Sequence, residues 1–130
     1  MPINLSAHTF TKHEKLCSIK QLDALFEAGK GFFQTPFRFV YLQTEQPQPF
    51  PIKVVISVSK RNFKKAVDRN RIKRLIRENY RMLKPDLYEH LQAKNKNYLL
   101  AIMFTGKQLP EFIDVKNGLD IGFKKLIQMI

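Results

Sequence analysis

A single cysteine, Cys17, stands among the 130 residues, which excludes an intramolecular disulfide and fits a reducing cytoplasm. A reactive thiol would need a positioned histidine, and nothing near Cys17 suggests one, so the side chain is expected to be a part-buried spectator. Long apolar runs are also missing. No stretch of about 18 residues could span a bilayer, and residues 1–15 lack the hydrophobic segment of a secretory signal. A soluble, cytoplasmic protein with no membrane partner is therefore expected. Low-complexity blocks are absent, and with 44% hydrophobic residues the whole chain should fold as one domain with its own core. Acids are few: 11 Asp and Glu face 23 Lys and Arg, a formal net charge of +12. That balance points to an acidic partner.

Catalytic constellations are equally scarce. Hydrolytic catalysis by side chains commonly needs clustered carboxylates on metal, or a histidine acid/base pair. The acids here lie far apart with no D-x-D pair, and the three histidines, His8, His13 and His90, sit in the N-terminal stretch and in a short helical segment. No metal-ligand or triad spacing occurs. Neither a catalytic side chain nor a protein-held metal is expected.

What is present is concentrated between Arg61 and Arg81, where nine Lys or Arg face two acids and leave +7 of the formal charge. Wound as a helix from Asp68, the segment places Ile72, Leu75, Ile76, Met82 and Leu83 on one apolar arc. Arg69, Lys73 and Arg77, spaced i, i+4, i+8, share the opposite arc with Asn70, Arg74 and Arg81. Solvated charged faces usually mix signs. This one has five cations and no acid, so a polyanion is expected against it, and nucleic acid before membrane because the apolar arc is needed for the core.

Residues 1–15 show no sustained period and read as a loosely held arm. Ser18 and Gln21 have capping-box spacing and open a helix with the stripe Ile19, Leu22, Leu25 and Phe26, which Gly29 ends. After a Gly-containing turn, Phe37–Leu42 alternates as a strand with Phe37, Phe39 and Tyr41 on one face. The proline-rich segment 45–51 is a loop, and Ile52–Ser59 is β-branched and strand-like. The basic helix is expected to end at Pro85, followed by a short helix over 86–93. Tyr98–Phe104 is apolar on both faces, as a central strand would be. Asp114 is placed as the cap of a last helix, weakened by Gly118 and Gly122. Helix, strands, helix, strand, helix describes a sheet with helices packed on it.

The run Lys65–Glu78, KAVDRNRIKRLIRE, preceded by Ser57–Arg61, SVSKR, resembles the signature helix and strand end of the protein subunit of bacterial ribonuclease P. Arg-Asn-Arg alone would be weak; the combination is specific. The resemblance implies an α+β fold, a single-domain α/β sandwich ordered αβββαβα. Its βαβ crossover would be left-handed, against the rule that about 98% of parallel crossovers obey. It further implies an accessory role in an endoribonuclease: a large RNA subunit, with Mg²⁺ held mainly by that RNA, matures the 5′ end of precursor tRNA. The monomeric protein, one per RNA, orients substrate. RNA contacts would fall to Arg61, Lys65, Arg69, Asn70, Arg71, Lys73, Arg74 and Arg77. A cleft between sheet and first helix would hold the single-stranded 5′ leader, with Phe26, Phe37, Phe39, Tyr41, Ser57 and Lys60. One turn before Phe26, where the family often has a second Phe, stands Leu22, which packs but stacks poorly. For any one of Phe26, Phe37 and Phe39 taken alone, plain core packing is the safer reading. Two other readings compete. One is a structural rRNA-binding protein of ribosomal type. The other is a DNA-binding helix-turn-helix, which needs a helix where Ile52–Ser59 looks like strand.

Overall fold

The computed structural model of the chain describes residues 14–130; residues 1–13, with His8, His13 and most of the expected arm, lie outside the described residues. The elements follow the expected αβββαβα order: α1 (Ile19–Ala28), β1 (Lys30–Gln34), β2 (Phe37–Thr44), β3 (Ile52–Val58), α2 (Ala66–Lys94), β4 (Asn97–Phe104) and α3 (Phe112–Met129). β1 occupies the segment read as a turn and forms a hairpin with β2. The sheet runs β1-β2-β4-β3, with β3 and β4 parallel and the other pairs antiparallel.

Alternation divides the sheet into two unequal faces. Phe37, Phe39, Tyr98, Leu100, Ile102, Phe104, Ile52 and Val54 point to one side and are closed by α2 and α3. Val40, Leu99 and Ala101 point to the other, where Leu16 and α1 residue Leu25 cover them. The hand of the β3–α2–β4 crossover follows from one bond. Tyr98 turns its ring to the α2 side and donates its N–H to Pro51 O, toward β3. For an L-residue seen with its side chain toward the viewer and the strand running upward, the N–H points right. β3 thus lies to the right of β4 with α2 in front, and the crossover is left-handed.

Several elements depart from expectation. Ser18 Oγ does accept the Gln21 N–H at 3.3 Å, but the Gln21 amide turns away to Gln46, so the capping box is half made. Gly29 ends α1 at φ −71°; it is needed because a Cβ there would come within 2.3 Å of Leu25 O. α2 does not stop at Pro85 but runs 29 residues through it. A mid-helix proline costs about 3 kcal/mol or more, and burial of Tyr80, Lys84, Leu87, Tyr88 and Leu91 around it offsets that. The buried stripe of α2 also includes Asn79, while Met82, expected on the apolar arc, is 60% exposed. Asp114 is not the cap of α3: Glu111 is, and the Asp114 carboxylate accepts the Glu111 N–H in a reciprocal box. Gly118 and Gly122 are packing positions, where a Cβ would meet the Phe37 ring at 2.8 Å and the Phe39 ring at 2.5 Å.

The arm is tied down from residue 14 onward. Lys15 bridges to Val54 on the free edge of β3, and Leu16 donates its N–H to Val54 O at 2.9 Å. Glu14 is fully buried and pairs with the fully buried Lys84 at 2.5 Å; Tyr88 also donates its hydroxyl to Glu14. Burial pushes the Tyr80 and Tyr88 hydroxyls well above the usual phenol range, and the phenol of Tyr80 adds to the shift at Tyr88. No described helix is long and apolar enough to cross a membrane.

Candidate nucleic-acid interface

The turn between β3 and α2 sets the basic helix in place. Ser59 Oγ accepts the N–H groups of Arg61 and Asn62 at 3.2 and 3.4 Å, reversing the chain as β3 ends. Arg69 then reaches back and donates to Phe63 O at 2.8 Å and Lys64 O at 2.9 Å. Arg69 is thus partly committed to holding the turn. No side chain caps α2 at Lys65, so the positive end of the helix dipole adds to the charge of Lys64 and Lys65.

Beyond the turn, Arg61, Lys65, Asn70, Arg71 and Arg74 are exposed, and Lys73 and Arg77 are half-buried. Among the described residues, none of Arg61, Lys65, Arg71, Lys73, Arg74 and Arg77 is in an ion pair. Arg81 is the exception on this face, since Glu78 holds it at 2.6 Å. Lys73 and Arg77 line a shallow depression of about 220 Å³ with Lys15, Cys17 and Val55. The basic side of α2 therefore wraps the outer edge of β3 and meets the α1 face of the sheet there. Cys17 is exposed, not part-buried.

On that face the register lines up an open row. Phe33 pairs with Arg38, Arg38 with Met103, and Met103 with Ser57, so the four side chains cross the sheet from β1 to β3 on the α1 side. The next row, Val40 and Ala101, lies under α1. Phe33 is 56% exposed and Phe26 on α1 53%; Arg38 and Ser57 are exposed as well. The guanidinium of Arg38 extends over Gly31, within 3.7 Å of where a Cβ would stand.

This geometry corrects three of the expected cleft residues. Phe37 and Phe39 are fully buried on the opposite face, under α3, and half-buried Tyr41 shares that face. Phe26, Ser57 and Lys60 remain accessible, Lys60 just past the end of β3. Phe33, Arg38 and Met103, which the sequence reading did not include, share the open row with Ser57. The signal was present in β2: a strand with three aromatics on one side and an arginine on the other buries the aromatics, and the charge marks the open face.

The description Ribonuclease P belongs to the family model that matches residues 10–117. The chain belongs to the Ribonuclease P family. The Ribonuclease P protein component of Porphyromonas gingivalis is 34% identical over 119 residues, covering 92% of this chain and 85% of that protein. The component from Chlorobium phaeobacteroides is 36% identical over 118 residues, covering 83% and 81%. Solved RNase P proteins share the fold: that of Staphylococcus aureus has a TM-score of 0.67 at 18% identity, covering 88% of this chain and 96% of that one. The Thermotoga maritima protein has a TM-score of 0.64 at 20% identity, covering 90% and 97%. The chain is thus the protein component of an endoribonuclease, and the helix-turn-helix reading fails on residues 52–58, which are strand. Among the described residues no three of His, Cys, Asp and Glu converge as a metal site.

Proposed function

We propose that this ribonuclease P component binds the catalytic RNA through the start of α2 and guides the 5′ leader of precursor tRNA across the open row, promoting Mg²⁺-dependent 5′ maturation in the cytoplasm as a monomer, one per RNA. The observation that carries the reading is the continuity of the two surfaces at the β3 edge. Lys73 and Arg77, in no ion pair among the described residues, line a depression with Val55, the neighbour of Ser57 on the same face of β3, and Ser57 ends the row that Phe33, Arg38 and Met103 form across the sheet. Arg forks pair bidentately with phosphate oxygens, and exposed aromatics stack on unpaired bases without demanding a sequence. Tolerance of sequence suits a leader that differs among precursors. No chemical step is assigned to a side chain; Mg²⁺, on this reading, is held by the RNA. The relatives reported favour this over a structural rRNA-binding role.

Reconstitution with a bacterial ribonuclease P RNA at low Mg²⁺ tests it. Cleavage of precursor tRNA should rise on adding the protein, and affinity should increase with leader length. Stimulation that is absent, or indifferent to the leader, would refute the reading.

A further inference from the structure

Among the concavities of the described residues that the open row and the basic face do not use, one lies beside the basic turn. A cavity of about 530 Å³ opens between the β1–β2 turn, the loop before α3, and α3 itself. Pro36, Leu109 and Ile121 supply apolar walls, Gln108 and Asn117 supply amide groups, and Lys107 supplies a cation. Leu109 and Ile121 remain 45% and 44% exposed, an apolar surface that nothing in the chain covers among the described residues. One carboxylate, Asp114, also lines the cavity; it already accepts the Glu111 N–H at 3.0 Å. An acid there disfavours a phosphate and suits the amino group of a base.

The cavity is joined to the basic turn. Asn62 Nδ2 donates to Gly106 O at 3.4 Å, and the Phe63 ring lies 5.9 Å from that of Phe104, which lines the cavity. The same Phe63 holds Arg69 through its carbonyl. RNA lying over Lys60, Arg61 and Lys64 therefore passes beside the mouth. A planar base wants apolar walls and hydrogen-bonding groups at its edges, with cations left for the backbone. We propose that this cavity takes one unpaired nucleotide of the bound RNA, base inside and sugar-phosphate toward Lys107. The inference rests on the reading that the basic turn and α2 bind RNA. Either the catalytic RNA or the precursor could supply the nucleotide, and the test separates them.

Asn117→Trp and Ile121→Trp fill the cavity from exposed positions on α3, with Arg74→Ala as the reference for RNA binding. Holoenzymes made with each are titrated with precursor tRNA, each protein is titrated with ribonuclease P RNA, and circular dichroism checks the fold. One stacked base lost should weaken binding about five- to tenfold. Loss toward the catalytic RNA alone assigns the nucleotide to it, and loss toward the precursor alone assigns it there. Filled variants that fold and bind both RNAs as wild type, while Arg74→Ala weakens binding, overturn the inference and leave the functional reading standing. If Arg74→Ala also changes nothing, the reading itself falls. Should both variants fail to fold, amide shifts of the wild-type protein with a mixed-sequence RNA hexamer decide instead. Shifts at Gly106, Lys107 and Asn117 support the cavity, and their absence overturns it.

Discussion

Phe33 and Phe37 stand on adjacent strands of one hairpin and meet opposite fates. Phe37 points under α3 and is fully buried, whereas Phe33 points to the α1 side and is 56% exposed. Phe37→Ala should therefore cost about 3–5 kcal/mol of stability, read as a lowered urea midpoint, whatever RNA is present. Phe33→Ala should leave the midpoint nearly unchanged and weaken precursor binding selectively for substrates with a leader. The reverse pattern would mean that the faces are misassigned. Arg69 and Arg74 differ in the same way. Arg74 is exposed with no partner among the described residues, so Arg74→Ala should lower RNA affinity without moving the thermal midpoint. Arg69 donates to two carbonyls of the turn, and its loss should cost roughly 1–3 kcal/mol of stability as well as affinity. Helical periodicity places Arg69 and Arg74 on one face without distinguishing them: a side chain's use inside the fold is set by a turn whose shape the period does not encode.

At the scale of elements, α2 is the case where local rules were overruled. A proline at position 85 argues for two helices, and the chain forms one because the tertiary contacts on either side of it are buried. Part of that anchoring is the Glu14–Lys84 pair, with both side chains inaccessible to solvent. Breaking a buried pair from one side leaves an uncompensated charge, so Lys84→Met should destabilise by about 3–5 kcal/mol. Combining it with Glu14→Gln should recover much of the loss, which a double-mutant cycle on denaturation midpoints would measure. Equal and additive losses would show that the pair contributes packing alone. The basic stretch, the strand alternation and the central β4 were legible because each is a periodic pattern within one segment. The Glu14–Lys84 contact was not, since it joins a residue in an aperiodic stretch to one seventy positions later. Neither was the role of Gly118 and Gly122: helix propensity marks them as weak points, while their function is to let α3 approach the β2 aromatics. Gly122→Ala illustrates the balance. The added methyl favours the helix by about 1 kcal/mol but meets the Phe39 ring at 2.5 Å, and overpacking of about 1–3 kcal/mol should make the net effect a loss.

For the whole molecule, the question is whether RNA responds to the net charge or to its placement. A formal charge of +12 alone would draw any polyanion and speed encounter at low salt, and it would do so wherever the lysines stood. The structure instead gathers exposed Lys65, Arg71 and Arg74 at the start of α2, while exposed Lys96, Lys116 and Lys124 sit past its far end and on α3. Two triple alanine variants, one for each set, lower the formal charge equally. If each of the first three neutralises one phosphate, log K against log salt should flatten by about 0.9 per contact, near 3 in total for duplex-like RNA. The second variant should keep the wild-type slope, apart from a small drop in association rate at low salt. Equal flattening in both would mean that binding is diffuse attraction to a cationic particle. The local reading also requires the two variants to part company in cleavage. At low Mg²⁺ the first should lose the protein's stimulation because the ribozyme no longer seats it, and the second should retain it. A shared loss would return the argument to net charge.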